Sequence, residues 1–103
     1  MPRSTSGLAH ISQGVAERLL IKKVQPQYPE DARHGRIEGK VVLRAVIDKK
    51  GNVENLSLIQ GHPSLAPAAT EAVKQWKYKP YLLNGHPVNV ETQVTVNFVL
   101  SGH

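Results

Sequence analysis

The chain has no cysteine. That excludes disulfide staples, thiolate metal ligands and thiol chemistry. Aromatic residues are scarce, at 5% of the sequence. Tyr28, Trp76, Tyr78, Tyr81 and Phe98 are too few and too spread to build a base-stacking platform. No apolar stretch has the length of a signal peptide or a membrane span, so the chain is expected to be soluble as it stands. Thirteen Lys and Arg against eight Asp and Glu give a net charge of +5. The charges are scattered, with no basic run longer than two, and read as a solvated surface rather than a phosphate-binding stripe. The histidines His10, His34, His62, His86 and His103 lack metal-ligand spacing. No Ser/His/Asp set, paired carboxylate or phosphate loop after a strand declares itself. Neither an enzyme nor a cofactor is expected.

What remains is 103 residues, enough for one domain with one modest core. Residues 1–14 are small and polar and read as a flexible lead-in to a domain over 15–103. Val15 to Val24 carries Leu19, Leu20, Ile21 and Val24 and fits either a strand or a short helix. Gln25-Pro26-Gln27-Tyr28-Pro29 is a proline-stiffened extended arm, because each proline lacks a donor and restricts its predecessor. Pro29, Glu30 and Asp31 suit the start of a short helix to His34, closed by Gly35. Val41 to Ile47 is a β-branched run broken only by Arg44, hence a buried strand. Asp48 to Asn52 is a turn, and Val53 to Gln60 returns as a second strand. Its alternation is partial, with Leu56 and Leu58 on one face and Val53 and Ile59 on the other.

The period then changes. Leu65, Ala68, Ala69, Ala72, Val73 and Trp76 form the apolar stripe of a helix. Ser64 is the expected cap, Pro67 lies in the first turn and Pro80 is the stop. After an Asn84-Gly85 turn, Val90, Thr92, Val94, Val96, Phe98 and Leu100 alternate strictly with Glu91, Gln93, Thr95 and Asn97. One face of this last strand is buried and the other wet.

These elements predict an α+β fold, with two helices on one face of a three-stranded antiparallel sheet of order second–first–last. The Val41–Ile47 strand is central because it is the most apolar. The last strand lies at an edge, with a row of free N–H and C=O groups. Residues 11–20 stand as the candidate cover for that edge. An open edge also predicts a homodimer through the last strand at high concentration.

Gln25-Pro26-Gln27-Tyr28-Pro29, Arg36-Ile37-Glu38-Gly39, Gly51-Asn52-Val53, Ala68-Ala69, Ala72-Val73, Trp76-Lys77-Tyr78-Lys79-Pro80 and Asn84-Gly85-His86-Pro87-Val88 occur in this order. Over roughly residues 20–100 the chain resembles the TonB C-terminal domain family. The resemblance implies a periplasmic domain of an inner-membrane-anchored energy transducer, with the anchor outside this chain. It also implies two partners: the TonB box of outer-membrane transporters, and a proton-driven motor complex of the inner membrane. A peptide would add as a strand along Asn89, Val90, Glu91, Gln93, Thr95 and Asn97, with Lys23, Gln25, Pro26, Gln27 and Tyr28 supplying side-chain contacts. An arginine that some members carry after the Tyr-Pro pair is Asp31 here, so its contact does not transfer. Trp76 belongs to the core; Tyr28 fits either a peptide contact or a lid. A peptide-binding module of a cell-envelope sensor or scaffold is the second reading, and a basic nucleic-acid-binding domain the third.

Overall fold

The computed structural model describes residues 8–100. Two long strands dominate it. β3 (Gly39–Ile47) and β8 (Val90–Phe98) run antiparallel through nine consecutive residue pairs, from Gly39 opposite Phe98 to Ile47 opposite Val90. Their inward residues alternate as the sequence demands: Val41, Leu43, Ala45 and Ile47 face Val90, Thr92, Val94, Val96 and Phe98 across one buried surface.

β4 (Val53–Gln60) flanks β3, so the order second–first–last holds for these three strands. The expected faces of β4 do not. Leu58 pairs with Leu43 and Val53 with Ile47, both core residues of β3, yet Leu58 is exposed. The ladder slips twice, once around Asn55 with φ of 52° and once near Ile59. Each slip inserts an unpaired residue and resets the alternation. Val53 and Leu56 then reach the core while Leu58 and Ile59 stay exposed.

The sheet has a fourth strand. β1 (Ala9–His10) runs parallel to β8, pairing Ala9 with Val90 and His10 with Glu91. Residues 8–14 are therefore ordered against the sheet instead of forming a flexible lead-in; residues 1–7 lie outside the described residues. The 15–24 stretch is both of the things it resembled: α1 (Gln13–Leu19) followed by β2 (Leu20–Lys22). Ser12 caps α1, its hydroxyl accepting from the Val15 N–H at 3.1 Å.

α2 (Glu30–His34) follows the arm as expected and buries Ala32. α3 (Ala66–Val73) buries Ala69, Ala72 and Val73 and packs on β3 and β4. Its expected limits shift at both ends. Ser64 is not the cap: the first turn is held by the His62 carbonyl, which accepts from Leu65 and Ala66, while Ser64 N–H donates to His62 Nδ1. The helix ends at Val73, well before Pro80, because the next residues find other partners. β5 (Lys77–Tyr78) pairs with β2, the Tyr78 N–H donates to the Gly51 carbonyl and the Lys79 N–H to the Leu19 carbonyl. Gly51 permits this approach: its φ is +87°, and a Cβ there would lie 1.9 Å from the Tyr78 carbonyl oxygen. The Asp48 carboxylate closes the same turn by accepting from the Lys50 and Asn52 N–H groups. Burial pushes that carboxyl up, but the Asn52 and Lys50 donors outweigh it and hold it below its usual range. β6 (Tyr81–Leu83) and β7 (His86–Val88) form a small hairpin on Asn84-Gly85, both at positive φ as a tight primed turn requires.

Candidate peptide-binding edge

The β8 edge is a consequence of register. Backbone groups of successive strand residues point to opposite sides, so alternate residues address opposite neighbours. The Asn89 and Glu91 carbonyls accept from the Ala9 and Ile11 N–H groups of the β1 segment. These residues therefore face away from β3. By the same alternation, Gln93, Thr95 and Asn97 also turn their N–H and C=O groups outward. Their side chains share the outer face of the sheet with Arg44, Val42 and Lys40, their partners on β3. β1 pairs with β8 only at Val90 and Glu91, so no strand of the described residues continues along Gln93 to Asn97.

The proposed contact residues separate into four places, three of them along β8. At one end, Asn89 and Glu91 are engaged by β1, and the Val90 side chain is fully buried in the core. The Glu91 carboxylate meets His10 Nε2 at 2.9 Å and Arg44 Nε at 3.5 Å. In the middle, Gln93, Thr95 and Lys23 come together beside α1, where they and Gln13, Ala16 and Glu17 border a cavity of about 70 Å³. The Thr95 hydroxyl donates to the Gln13 side-chain oxygen at 3.2 Å. The Lys23 ammonium lies 5.5 Å from the centre of the Trp76 ring, a cation–π arrangement. At the far end, Asn97 is exposed.

Gln25, Pro26, Gln27 and Tyr28 sit elsewhere. The arm runs past α3 and, with Arg33, Pro67, Glu71 and Gln75, walls a groove of about 810 Å³. It is fixed at both ends. Trp76, buried at the exit of α3, donates its indole N–H to the Val24 carbonyl at 2.8 Å. The Tyr28 hydroxyl donates to the Ile37 carbonyl, and its ring meets Phe98 edge-on at 5.4 Å. Tyr28 is thus a lid over the core end of β8. Burial, and secondarily the charge of Glu38, pushes its phenol up. Trp76 is core, as its place on the apolar stripe predicted.

His10, Ile11, Gln13 and Ala16 contribute to this edge without having been singled out residue by residue. A two-residue strand has no period to detect, and α1 buries only Ala16. Sequence reading named residues 11–20 only as a segment, the candidate cover of the edge.

Among the described residues no group of His, Asp or Glu is arranged to hold a metal ion. No helix among them is long and apolar enough to cross a membrane.

Comparison with known proteins matches this architecture. The chain is 38% identical over 86 residues to protein TonB of Vibrio cholerae, covering 82% of this chain and 35% of that protein. It is 33% identical over 78 residues to protein TonB of Xanthomonas campestris, covering 74% of this chain and 35% of the relative. The chain thus spans about a third of the length of these curated relatives. The solution structure of the Pseudomonas aeruginosa TonB C-terminal domain superposes with a TM-score of 0.67 at 21% identity, covering 82% of this chain and 87% of that one, and shares the fold. The TonB2 protein of Vibrio anguillarum gives a TM-score of 0.57 at 25% identity, covering 98% and 90%. The family described as Gram-negative bacterial TonB protein C-terminal matches residues 24–100, and this chain belongs to it.

Proposed function

We propose that this domain is the peptide-gripping end of a TonB-type energy transducer. It receives the TonB box of an outer-membrane transporter as an added strand on the β8 edge, in support of energy-dependent nutrient uptake. The full-length protein would be anchored in the inner membrane, coupled there to a proton-driven motor complex, with this domain in the periplasm. TonB proteins are energy transducers and not enzymes, in keeping with a surface that offers hydrogen bonds and no reacting group.

One observation carries the reading. The nine-pair register with β3 turns Gln93, Thr95 and Asn97 outward together, on a straight strand whose core face is fully packed. Main-chain groups in such a row bind extended peptides of varied sequence. The arm, pinned by Trp76 and Tyr28, sets Lys23 beside the middle of that row. The same open groups would pair two copies of the chain, so peptide and homodimer would compete for one edge.

The test is titration of a labelled TonB-box peptide against proline variants of the edge. Asn97→Pro, Gln93→Pro and Thr95→Pro each remove an outward N–H and spare the β3 ladder. Each should fold and bind more weakly by about 2- to 12-fold, the equivalent of about 0.5–1.5 kcal/mol per hydrogen bond. Lys49→Ala and Lys50→Ala, in the β3–β4 turn, should bind as the parent does. Unchanged affinity in all folded proline variants, with losses in the lysine variants, would move the site to the basic surface.

A further inference from the structure

Two of the outward groups proposed to take a peptide, the Asn89 and Glu91 carbonyls, are already met by the chain's own residues 9–11, and α1 follows beside Gln93 and Thr95. β1 takes Asn89 and Glu91 through two backbone hydrogen bonds, from Ala9 at 3.3 Å and Ile11 at 3.0 Å. α1 then flanks Gln93 and Thr95, with the Gln13–Thr95 contact and Ala16 buried against this side of the domain. Only Asn97 lies clear of them. A strand cannot pair along Asn89 to Glu91 while this segment is in place, and α1 crowds its path beside Gln93 and Thr95.

The segment is also weakly held. β1 is two residues long. Its side-chain contact with Glu91 uses a His10 that is 75% exposed, where such polar contacts contribute little. α1 has seven residues, far below the length at which a helix is stable alone. It buries one small side chain, Ala16, and leaves Val15 exposed. By contrast, the chain just after it is tied down: β2 pairs with β5, the Leu19 carbonyl accepts from Lys79, and Val24 holds Trp76. The weak stretch therefore ends at a fixed point near Leu20, where the backbone leaves the helix at φ −69° and ψ 123°.

We infer that residues 9–18 form a displaceable strap, an intramolecular occupant of the β8 edge that an extended peptide must lift before it can pair. This rests on the proposed function and adds a step to it. The peptide sees only the fraction of molecules whose strap is open, so its apparent affinity is reduced by that fraction. Glu91 has two roles in succession: it clasps His10 when the strap is closed and presents its backbone to the peptide when the strap is lifted.

The absence of native cysteine makes the strap easy to lock. His10 and Glu91 face each other across the β1–β8 ladder, at the roughly 5 Å spacing of paired strands, within disulfide reach. In a His10→Cys, Glu91→Cys double variant, a TonB-box peptide should bind poorly when the disulfide is formed and regain affinity on reduction. Ile11→Pro removes the donor to the Glu91 carbonyl and should tighten binding roughly tenfold, by freeing the edge. A peptide-free readout accompanies these. The Ile11 amide should exchange with solvent by local opening, far faster than amides of the β3–β8 ladder. Equal binding by oxidised, reduced and Ile11→Pro proteins overturns the strap and leaves peptide binding standing. An Ile11 amide as protected as the β3–β8 ladder also overturns it. Binding by none of the folded variants, wild type included, removes the peptide reading and this inference with it.

Discussion

The two edges of the sheet solve the same problem differently. β4 is blunted by its own backbone: two slips in register and a positive φ at Asn55 break its row of donors and acceptors. β8 runs nine residues in unbroken register and is protected only by a separate piece of chain. A bulged edge resists any added strand permanently. A straight edge under a removable cover can be opened. On the proposed function, regularity marks the edge kept for use, and the exposed Leu58 and Ile59 on β4 are the less inviting surface despite their hydrophobicity.

The comparison breaks altogether if the core holding β3 between the two edges is loosened. Trp76→Ala should do this, costing about 3–5 kcal/mol, as for other buried aromatics. Urea or thermal unfolding measures it. The loss has two parts, the packing on the α3 stripe and the hydrogen bond that anchors the arm at Val24. A variant with wild-type stability and no peptide binding would make Trp76 a contact residue after all.

A smaller effect, confined to the β8 side, should come from Tyr78. It is buried beside Val94 and the foot of α1, and that burial, helped by the charge of Glu17, pushes its phenol from 10.0 up to about 12. A raised phenol favours the neutral form in the folded state. Its contribution is therefore complete below pH 10 and is lost as the pH climbs towards 12, by on the order of 2 kcal/mol. Unfolding followed across this range should show the loss, and Tyr78→Phe should flatten it. An identical alkaline profile in the phenylalanine variant would assign the loss to other groups.

The least effect is expected at the blunted edge. Asn55→Val places a β-branched residue at φ of 52° and should cost about 1–2 kcal/mol, or push β4 to straighten. Light scattering reads the second outcome: a variant that begins to associate through β4 would show that the bulge protects this edge. Unchanged stability and a strict monomer would mean that the bulge protects nothing.

Strand pattern made much of this fold legible. The strict alternation from Val90 to Phe98 and the apolar run from Val41 to Ile47 needed no tertiary information, because period two and burial on one face leave a direct trace in residue type. The same holds for the arm, where proline restricts the backbone locally. The faces of β4 were not legible, since a bulge shifts the alternation without any signature beyond a tolerant Asn. The extent of α3 was also missed. The apolar stripe continues to Trp76, but Tyr78 and Lys79 are captured by Gly51 and Leu19, and those competing hydrogen bonds are between residues far apart in sequence. At the candidate site, sequence pointed to Gln93, Thr95 and Asn97 through their polar character. It did not show that Lys23 alone of the arm residues lies beside them, while Gln25 to Tyr28 turn towards α3.

By itself, then, the sequence determined which segments could be strands, where the chain had to turn, that no thiol chemistry was available, and that the last strand would sit outside the central one. Residues 11–20 were already a candidate cover for that strand, but tertiary structure decided the form the cover takes. The cover is a two-residue strand and a seven-residue helix, each too short to have a period and too weak to form alone. The strand exists because β8 supplies carbonyls for the Ala9 and Ile11 N–H groups, and the helix because Ala16 finds a buried place against the domain; both are properties of the assembled sheet.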